Sequence, residues 1–202
     1  MASEDPKKQL PVEKEIDKLI VALSEDHSQK SKIAAAKAIC EIGDIAITRL
    51  ISTLGQARWE VRSSAILALA NVGQPATQVF QAALQDEDWF VRAIAARSLG
   101  QIKDPQTVKD LINVLDDKDW FVRKRASEAL SKIGEPAIVP LIDALKDQNG
   151  LVRERAAEVL GEIGNETSVK PLLETFHDEE LYVRARAVLA FEKVKTRNAG
   201  RG

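Results

Sequence analysis

The chain has 202 residues, with 29 lysines and arginines against 31 aspartates and glutamates, for a formal charge of −2. That balance argues against bulk attraction to nucleic acid or to an anionic membrane. Aromatics make up 4 % and Ala, Leu, Ile and Val carry most of the apolar mass, which suits helices packed closely through small residues rather than a sheet.

From the start, Met1 to Val12 is polar and has no apolar run, so no secretory leader is expected and residues 1–11 read as a flexible segment. The first amphipathic stripe follows at Ile16, Leu19, Ile20 and Leu23. Ser31-Lys32 then opens a second stripe through Ala35, Ala36, Ile39 and Ile42. This is a degenerate copy of what comes next. A Val-Arg pair recurs as Val61-Arg62, Val91-Arg92, Val122-Arg123, Val152-Arg153 and Val183-Arg184, with steps of 30, 31, 30 and 31 residues. After each pair, small and apolar residues follow a helical period, as at Ala95, Ala96, Leu99 and Ile102. Before it lies another stripe, as at Val108, Leu111, Ile112, Leu115 and at Ile138, Leu141, Ile142, Leu145. Each unit of about 30 residues is thus predicted to be two helices, and there are six units.

Local signals mark the ends. Pro75, Pro105 and Pro136 stand near the starts of first helices, where a missing N–H costs little. Gly43, Gly73, Gly134 and Gly164 are placed to stop second helices in the left-handed conformation. Lys103 and Lys195 replace that glycine, so those ends are expected to be less sharp. In the third unit Thr77 and Gln81 take usual apolar places and Phe80 must do more of the packing, so that hairpin is expected to be the loosest of the middle four. A lone hairpin cannot bury its faces, whereas stacked copies share one continuous core. No linker interrupts residues 12–195, which read as a single all-α solenoid domain, with 196–202 as a flexible tail.

The phrase Asp86-x5-Arg92-x2-Ala95-Ala96-x2-Leu99-Gly100-x-Ile102 resembles the HEAT-like repeat of the phycobilisome-lyase type, and the artificial repeat proteins built from it. The resemblance covers roughly residues 12–195. An acid lies six residues before each basic residue: Asp26, Asp86, Asp117, Asp147 and Asp178 precede Lys32, Arg92, Arg123, Arg153 and Arg184. Such an aspartate can cap a helix start or accept a charge-assisted hydrogen bond from an arginine. The resemblance implies that these residues form a ladder along the stack. Gln56 breaks the pattern, which leaves the Arg62 rung weaker or free to bind.

By the same resemblance the second helices line the concave side. The residues flanking their buried stripe then form a groove, and candidate partner-binding residues are Trp59, Leu67, Trp89, Phe90, Ile94, Arg97, Trp120, Phe121, Arg125, Leu151, Arg155 and Tyr182. All three tryptophans fall at one repeat position, in consecutive units. Two readings stay open. They are exposed anchors of the kind that dominate binding energy, or staples folded onto the neighbouring turn. The next position (Phe90, Phe121, Leu151, Tyr182) is expected to be the more exposed, since Glu60 occupies it once. With Lys30 and Lys37 included, groove positions hold seven basic residues against four acidic ones, an excess of +3.

Nothing assembles a catalytic centre. His27 and His177 lie in loops of the first and sixth units. Cys40 occupies the small-residue place of Gly100 and Gly161 and cannot form an internal disulfide. Neither a zinc ligand set nor a phosphate-binding loop is present. No apolar stretch approaches the roughly 20 residues of a membrane span. The expectation is therefore a cytoplasmic, non-enzymatic scaffold with no metal or cofactor, a monomer or weak homodimer. Its partner would be a protein with an apolar ridge and an acidic edge. A bilin lyase or chromophore chaperone, implied by the resemblance, and nucleic-acid binding through the same groove are the alternatives.

Overall fold

A computed structural model describes residues 6–25, 28–54 and 56–199. Among these residues there are twelve α-helices and no strand. They pair as six hairpins: α1 (Pro6–Glu25) with α2 (Gln29–Ile42), α3 (Asp44–Leu54) with α4 (Trp59–Leu69), and α5 (Thr77–Ala83) with α6 (Trp89–Ile102). Then follow α7 (Val108–Ile112) with α8 (Trp120–Ile133), α9 (Ile138–Ala144) with α10 (Gly150–Ile163), and α11 (Glu166–Glu174) with α12 (Leu181–Ala199). The architecture is the all-α solenoid that the 30–31-residue period predicts. The chain divides into two compact units, Met1–Ala95 and Ala96–Gly202.

In the first unit the core is built from Ile16, Ile20 and Leu23 of α1, Ile39 of α2, Ile47 and Leu50 of α3, and Ile66 and Leu69 of α4, all buried. Phe80 of α5 is fully buried and carries the packing expected of it. In the second unit the same register places Leu111, Val122, Leu130, Leu141, Val152, Leu160, Leu172 and Val183 inside. Burial of each such side chain contributes about 1.5–3 kcal/mol. Small residues set the helix spacing. A Cβ on Gly100 would fall 2.5 Å from the Ala129 Cα, and one on Gly161 would fall 2.9 Å from the Ala190 Cα. Backbone therefore packs on backbone at these crossings.

The helix ends depart from expectation in several places. Gly43, Gly73 and Gly134 are left-handed, but Gly164 is not, with φ −57°. Lys103 itself adopts φ 59°, and its N–H donates to the Leu99 carbonyl at 2.9 Å as Gly134 donates to Leu130 at 3.0 Å. That end is as sharp as a glycine end, because the backbone bond is the same whichever residue supplies it. At Lys195 there is no stop, and α12 continues to Ala199. There Arg197 donates to the Gly161 and Gly164 carbonyls at 2.8 Å each, so the expected tail is helical over 196–199. The backbone is helical from Pro6, upstream of the expected boundary at residue 12. Pro75, Pro105 and Pro136 sit in 3₁₀ turns that lead into α5, α7 and α9. The third hairpin is not set apart by a short first helix, since α7 has 5 residues against 7 in α5.

The left-handed Lys103 yields a direct test. Lys103→Gly removes a steric cost of about 1–2 kcal/mol and adds a smaller unfolded-state entropy cost. The variant is expected to gain about 0.5–1 kcal/mol in urea unfolding. A loss of stability would contradict the assigned backbone.

Candidate protein interaction face

Trp89, Phe90, Trp120 and Phe121 are aimed by a double oxygen cap, whereas the helix that begins at Trp59 has no side-chain cap. In each inter-helix loop of the later repeats the ladder acid accepts the N–H two residues on: Asp86 from Asp88 at 2.9 Å, Asp117 from Asp119 at 2.8 Å, Asp147 from Asn149 at 2.7 Å and Asp178 from Glu180 at 2.9 Å. The helix itself is capped by the next oxygen. Asp88 accepts from Phe90 at 2.8 Å, Asp119 from Phe121 at 2.8 Å and Asn149 from Leu151 at 3.0 Å. The capping role expected of the ladder acids thus belongs to the residue two places later. The pattern Asp-x-Asp before the two Trp-Phe pairs, and Asp-x-Asn before Gly150-Leu151, carried that signal. These caps fix the first turn, so the Trp and Phe start from rigid backbone.

In the first unit Trp59, Trp89 and Phe90 are 50 %, 43 % and 36 % exposed. In the second unit Trp120 is 61 % exposed, and Phe121 is half-buried under the Arg125 guanidinium, 4.6 Å above its ring. Trp89 and Trp120 each meet the following Phe edge to face, at 5.7 Å for Trp89–Phe90 and 5.5 Å for Trp120–Phe121. The tryptophan, not the residue after it, is the more exposed of each pair, because its phenylalanine neighbour lies against the helix. Tyr182 is exposed and lies across Gly150, where a Cβ would collide with its hydroxyl. Gly150 holds the repeat position of the tryptophans, so its missing side chain makes room for the tyrosine.

Leu67, Arg97, Leu151 and Arg155 are half-buried. Ile94 is a correction: at 5 % exposure it belongs to the core and not to the face. Arg125, Arg155 and Arg186 occupy the same repeat position, and their longer stems carry the charge outward while isoleucine stays inside. The positive excess is also matched locally in the second unit. Arg125 pairs with Glu128 and Arg155 with Glu158, each at 2.7 Å, and Arg186 pairs with Glu154 at 3.0 Å and Glu158 at 3.6 Å.

The ladder arginines hold their own loops, and Arg62 and Arg153 also reach the loop of the next repeat. Arg92 donates to the Asp86 and Glu87 carbonyls at 2.7 and 2.9 Å, Arg123 to Asp117 and Lys118 at 2.6 and 3.3 Å, and Arg184 to Asp178 and Glu179 at 2.6 and 3.0 Å. Arg153 likewise donates to the Asp147 and Gln148 carbonyls, and its remaining nitrogens reach forward to Asp178 at 2.7 and 2.9 Å and to Glu179 at 3.3 Å. Arg62 is built the same way, with Ala57, Asp86 and Glu87 as acceptors. The expectation that Gln56 leaves Arg62 weak or free is therefore overturned, because the carboxylate comes from the following repeat. Asp26 and His27 lie outside the described residues.

The Arg153 hydrogen bond holds the Asp178 carboxyl below its ordinary value of 3.8, and Asp178 in turn raises the Arg153 guanidinium. Burial, then Glu41, pushes the Cys40 thiol up. His177 is exposed at the end of a 3₁₀ turn, Thr175–His177. Among the described residues no group of three or more His, Cys, Asp or Glu side chains is placed to hold a metal, and no helix is long and apolar enough to cross a membrane.

These features define a class of protein, and comparison with known families agrees. The model of the HEAT-repeat family matches residues 16–89, 76–141 and 138–199. The chain belongs to the HEAT-repeat family. No curated protein matches it. Among solved structures, an engineered repeat protein is 22 % identical over 91 % of this chain and 98 % of its own, with a TM-score of 0.45. The CpcE–CpcF complex of phycocyanin lyase from Nostoc is 25 % identical over 73 % and 99 %, with a TM-score of 0.48. A designed armadillo repeat protein bound to a peptide is 19 % identical over 89 % and 99 %, with a TM-score of 0.42.

The depressed Asp178 carboxyl gives a signed prediction. Its contribution is present in full above the ordinary carboxylate value and is lost as pH falls below that value, through the folded one. Asp178→Ala leaves Arg153 buried without its acid and is expected to cost about 3–5 kcal/mol at pH 7. Denaturant titrations should show the gap between variant and wild type closing below about pH 4. A gap that is constant with pH would sink the ion-pair account.

Proposed function

We propose that this HEAT-repeat chain is a non-enzymatic scaffold that binds a partner protein through the face of its second helices. Trp59, Trp89, Phe90, Trp120, Phe121, Leu151 and Tyr182 would be the apolar anchors, with Arg97, Arg125 and Arg155 beside them. The observation that carries this reading is Trp120. It is 61 % exposed on a capped first turn, where a tryptophan that served only as a staple would be covered. Rigid helices present such anchors with little ordering cost on binding. Tryptophan, tyrosine and arginine are the residues most often dominant at interfaces. The proposal treats residues 12–195 as one functional scaffold, and its setting as the cytoplasm. The partner is a folded protein or peptide with an apolar ridge. The paired arginines of the second unit reduce the demand for an acidic edge.

Trp59→Ala, Trp89→Ala and Trp120→Ala combined should remain helical by circular dichroism, with loss of the edge-to-face contacts of Trp89 and Trp120 costing about 1 kcal/mol each. Proteins captured by the wild type should be lost, with affinity lowered at least tenfold. Capture unchanged in the folded triple variant would rule out the face. A ligand whose binding falls a thousandfold or so between 50 and 200 mM salt would favour nucleic acid instead.

A further inference from the structure

A cavity of about 300 Å³ opens in the first unit, away from the aromatic face, walled by Ile51 and Leu54 of α3 and by Val79, Ala82 and Ala83 of α5. The repeat supplies a second copy of this cleft in the second unit. Counted back from the Val-Arg pairs, Ile142 and Leu145 stand in the places of Ile51 and Leu54. Pro171, Glu174 and Thr175 stand in the places of Val79, Ala82 and Ala83. That copy measures about 180 Å³, and a second space of about 470 Å³ is lined by Leu145, Arg153, Asp178 and Glu179, which hold the places of Leu54, Arg62, Asp86 and Glu87. In the first unit these inner and outer parts form one cleft, where Ala82 and Ala83 stand in the places of Glu174 and Thr175. Unfilled apolar volume destabilises a core, and a cleft of this size invites an occupant.

The mouth is formed by Arg62, Gln85, Asp86 and Glu87. Arg62 has little left to offer an anion, since its three nitrogens already donate to Asp86, the Ala57 carbonyl and Glu87. Asp86 is taken up by Arg62 and by the Asp88 N–H. What meets solvent is the Glu87 carboxylate, with its side chain 84 % exposed. Arg92 lies behind the loop on the Asp86 and Glu87 carbonyls, so Glu87 is the charge that the mouth presents to solvent. The site is therefore apolar within and anionic at its edge.

We propose that this cleft binds an aliphatic ammonium group, with an unbranched apolar chain among Ile51, Val79 and Ala83 and a terminal NH₃⁺ that donates to Glu87. At roughly 30 Å³ for each water-sized atom, the cavity admits on the order of ten heavy atoms. A carboxylate of the same length would bring a like charge to Asp86 and Glu87. A neutral alcohol would gain the apolar contacts only. The ammonium group can belong to a free alkylamine or to a lysine side chain of another protein.

The test is a methyl NMR titration of the full chain with n-hexylammonium, hexanoate, hexanol and N-acetyl-lysine methylamide. Hexylammonium should shift the Ile51, Leu54 and Val79 methyls saturably, and hexanoate should bind roughly tenfold more weakly or not at all. Glu87→Gln should bring hexylammonium down to the affinity of hexanol. Ala82→Gln with Ala83→Thr should abolish binding while the fold holds, because the same repeat positions carry Glu174 and Thr175. Shifts from hexylammonium alone support the proposal with a free amine as ligand, and shifts from the lysine compound as well support it with a lysyl side chain. No saturable shift, equal binding of hexanoate, or undiminished binding by the filled variant would overturn it.

Discussion

One interaction joins neighbouring repeats at Arg62 and Arg153: a buried arginine that ties its own loop to the loop of the next repeat. Arg153 donates backward to two backbone carbonyls and forward to the carboxylates of Asp178 and Glu179. An inter-helix loop has carbonyls that no helix satisfies, and burying them unpaired costs about 1–3 kcal/mol each. A guanidinium has five donors in a fixed fork, so it can serve two carbonyls and a carboxylate together. The carboxylate keeps the buried arginine from being an isolated charge and also orders the turn that carries the next helix cap. Loop, cap and neighbour are therefore set by one side chain.

In the loops before α6, α8 and α10 a chain of oxygens fixes the first turn of the helix that follows. Asp117 holds the Asp119 N–H, Asp119 holds the Phe121 N–H, and Trp120 stands between them on the first turn of α8. A tryptophan on such a turn needs no burial to be held in place, since the backbone beneath it is already fixed. The tight crossings at Gly100 and Gly161 serve the same rigidity from the other end of the helices. Binding at this face is then recognition by preorganised side chains on stiff helices. The cleft between α3 and α5 lies elsewhere in the first unit and uses none of these anchors.

Much of this was legible in the sequence because the Val-Arg repeat imposes one register on every copy. Val91, Ala95 and Leu99 are buried where the period puts them, and the prolines fall in the turns that start first helices. What the sequence hid are matters of reach and direction. The acid six residues upstream looks like the partner of its own arginine, yet Arg62 and Arg153 go to the acid of the next repeat, which linear spacing does not reveal. Ile94 shares a position with three arginines, and only side-chain length decides that it turns inward. Lys103 takes a left-handed conformation because the terminating hydrogen bond to Leu99 outweighs its steric cost. The size of the α3–α5 cleft was equally hidden, since two alanines read as ordinary helix formers.

The most direct test of the arginine tie is amide hydrogen exchange on Arg153→Lys, which keeps the charge and removes the fork. The account predicts faster exchange at Asn149 and Glu180, whose N–H groups are held by Asp147 and Asp178. The α7–α8 hairpin should remain protected. Unchanged exchange in both loops would show that charge alone suffices, and a uniform loss across 96–202 would show that the residue is a general core element rather than a tie between neighbouring loops.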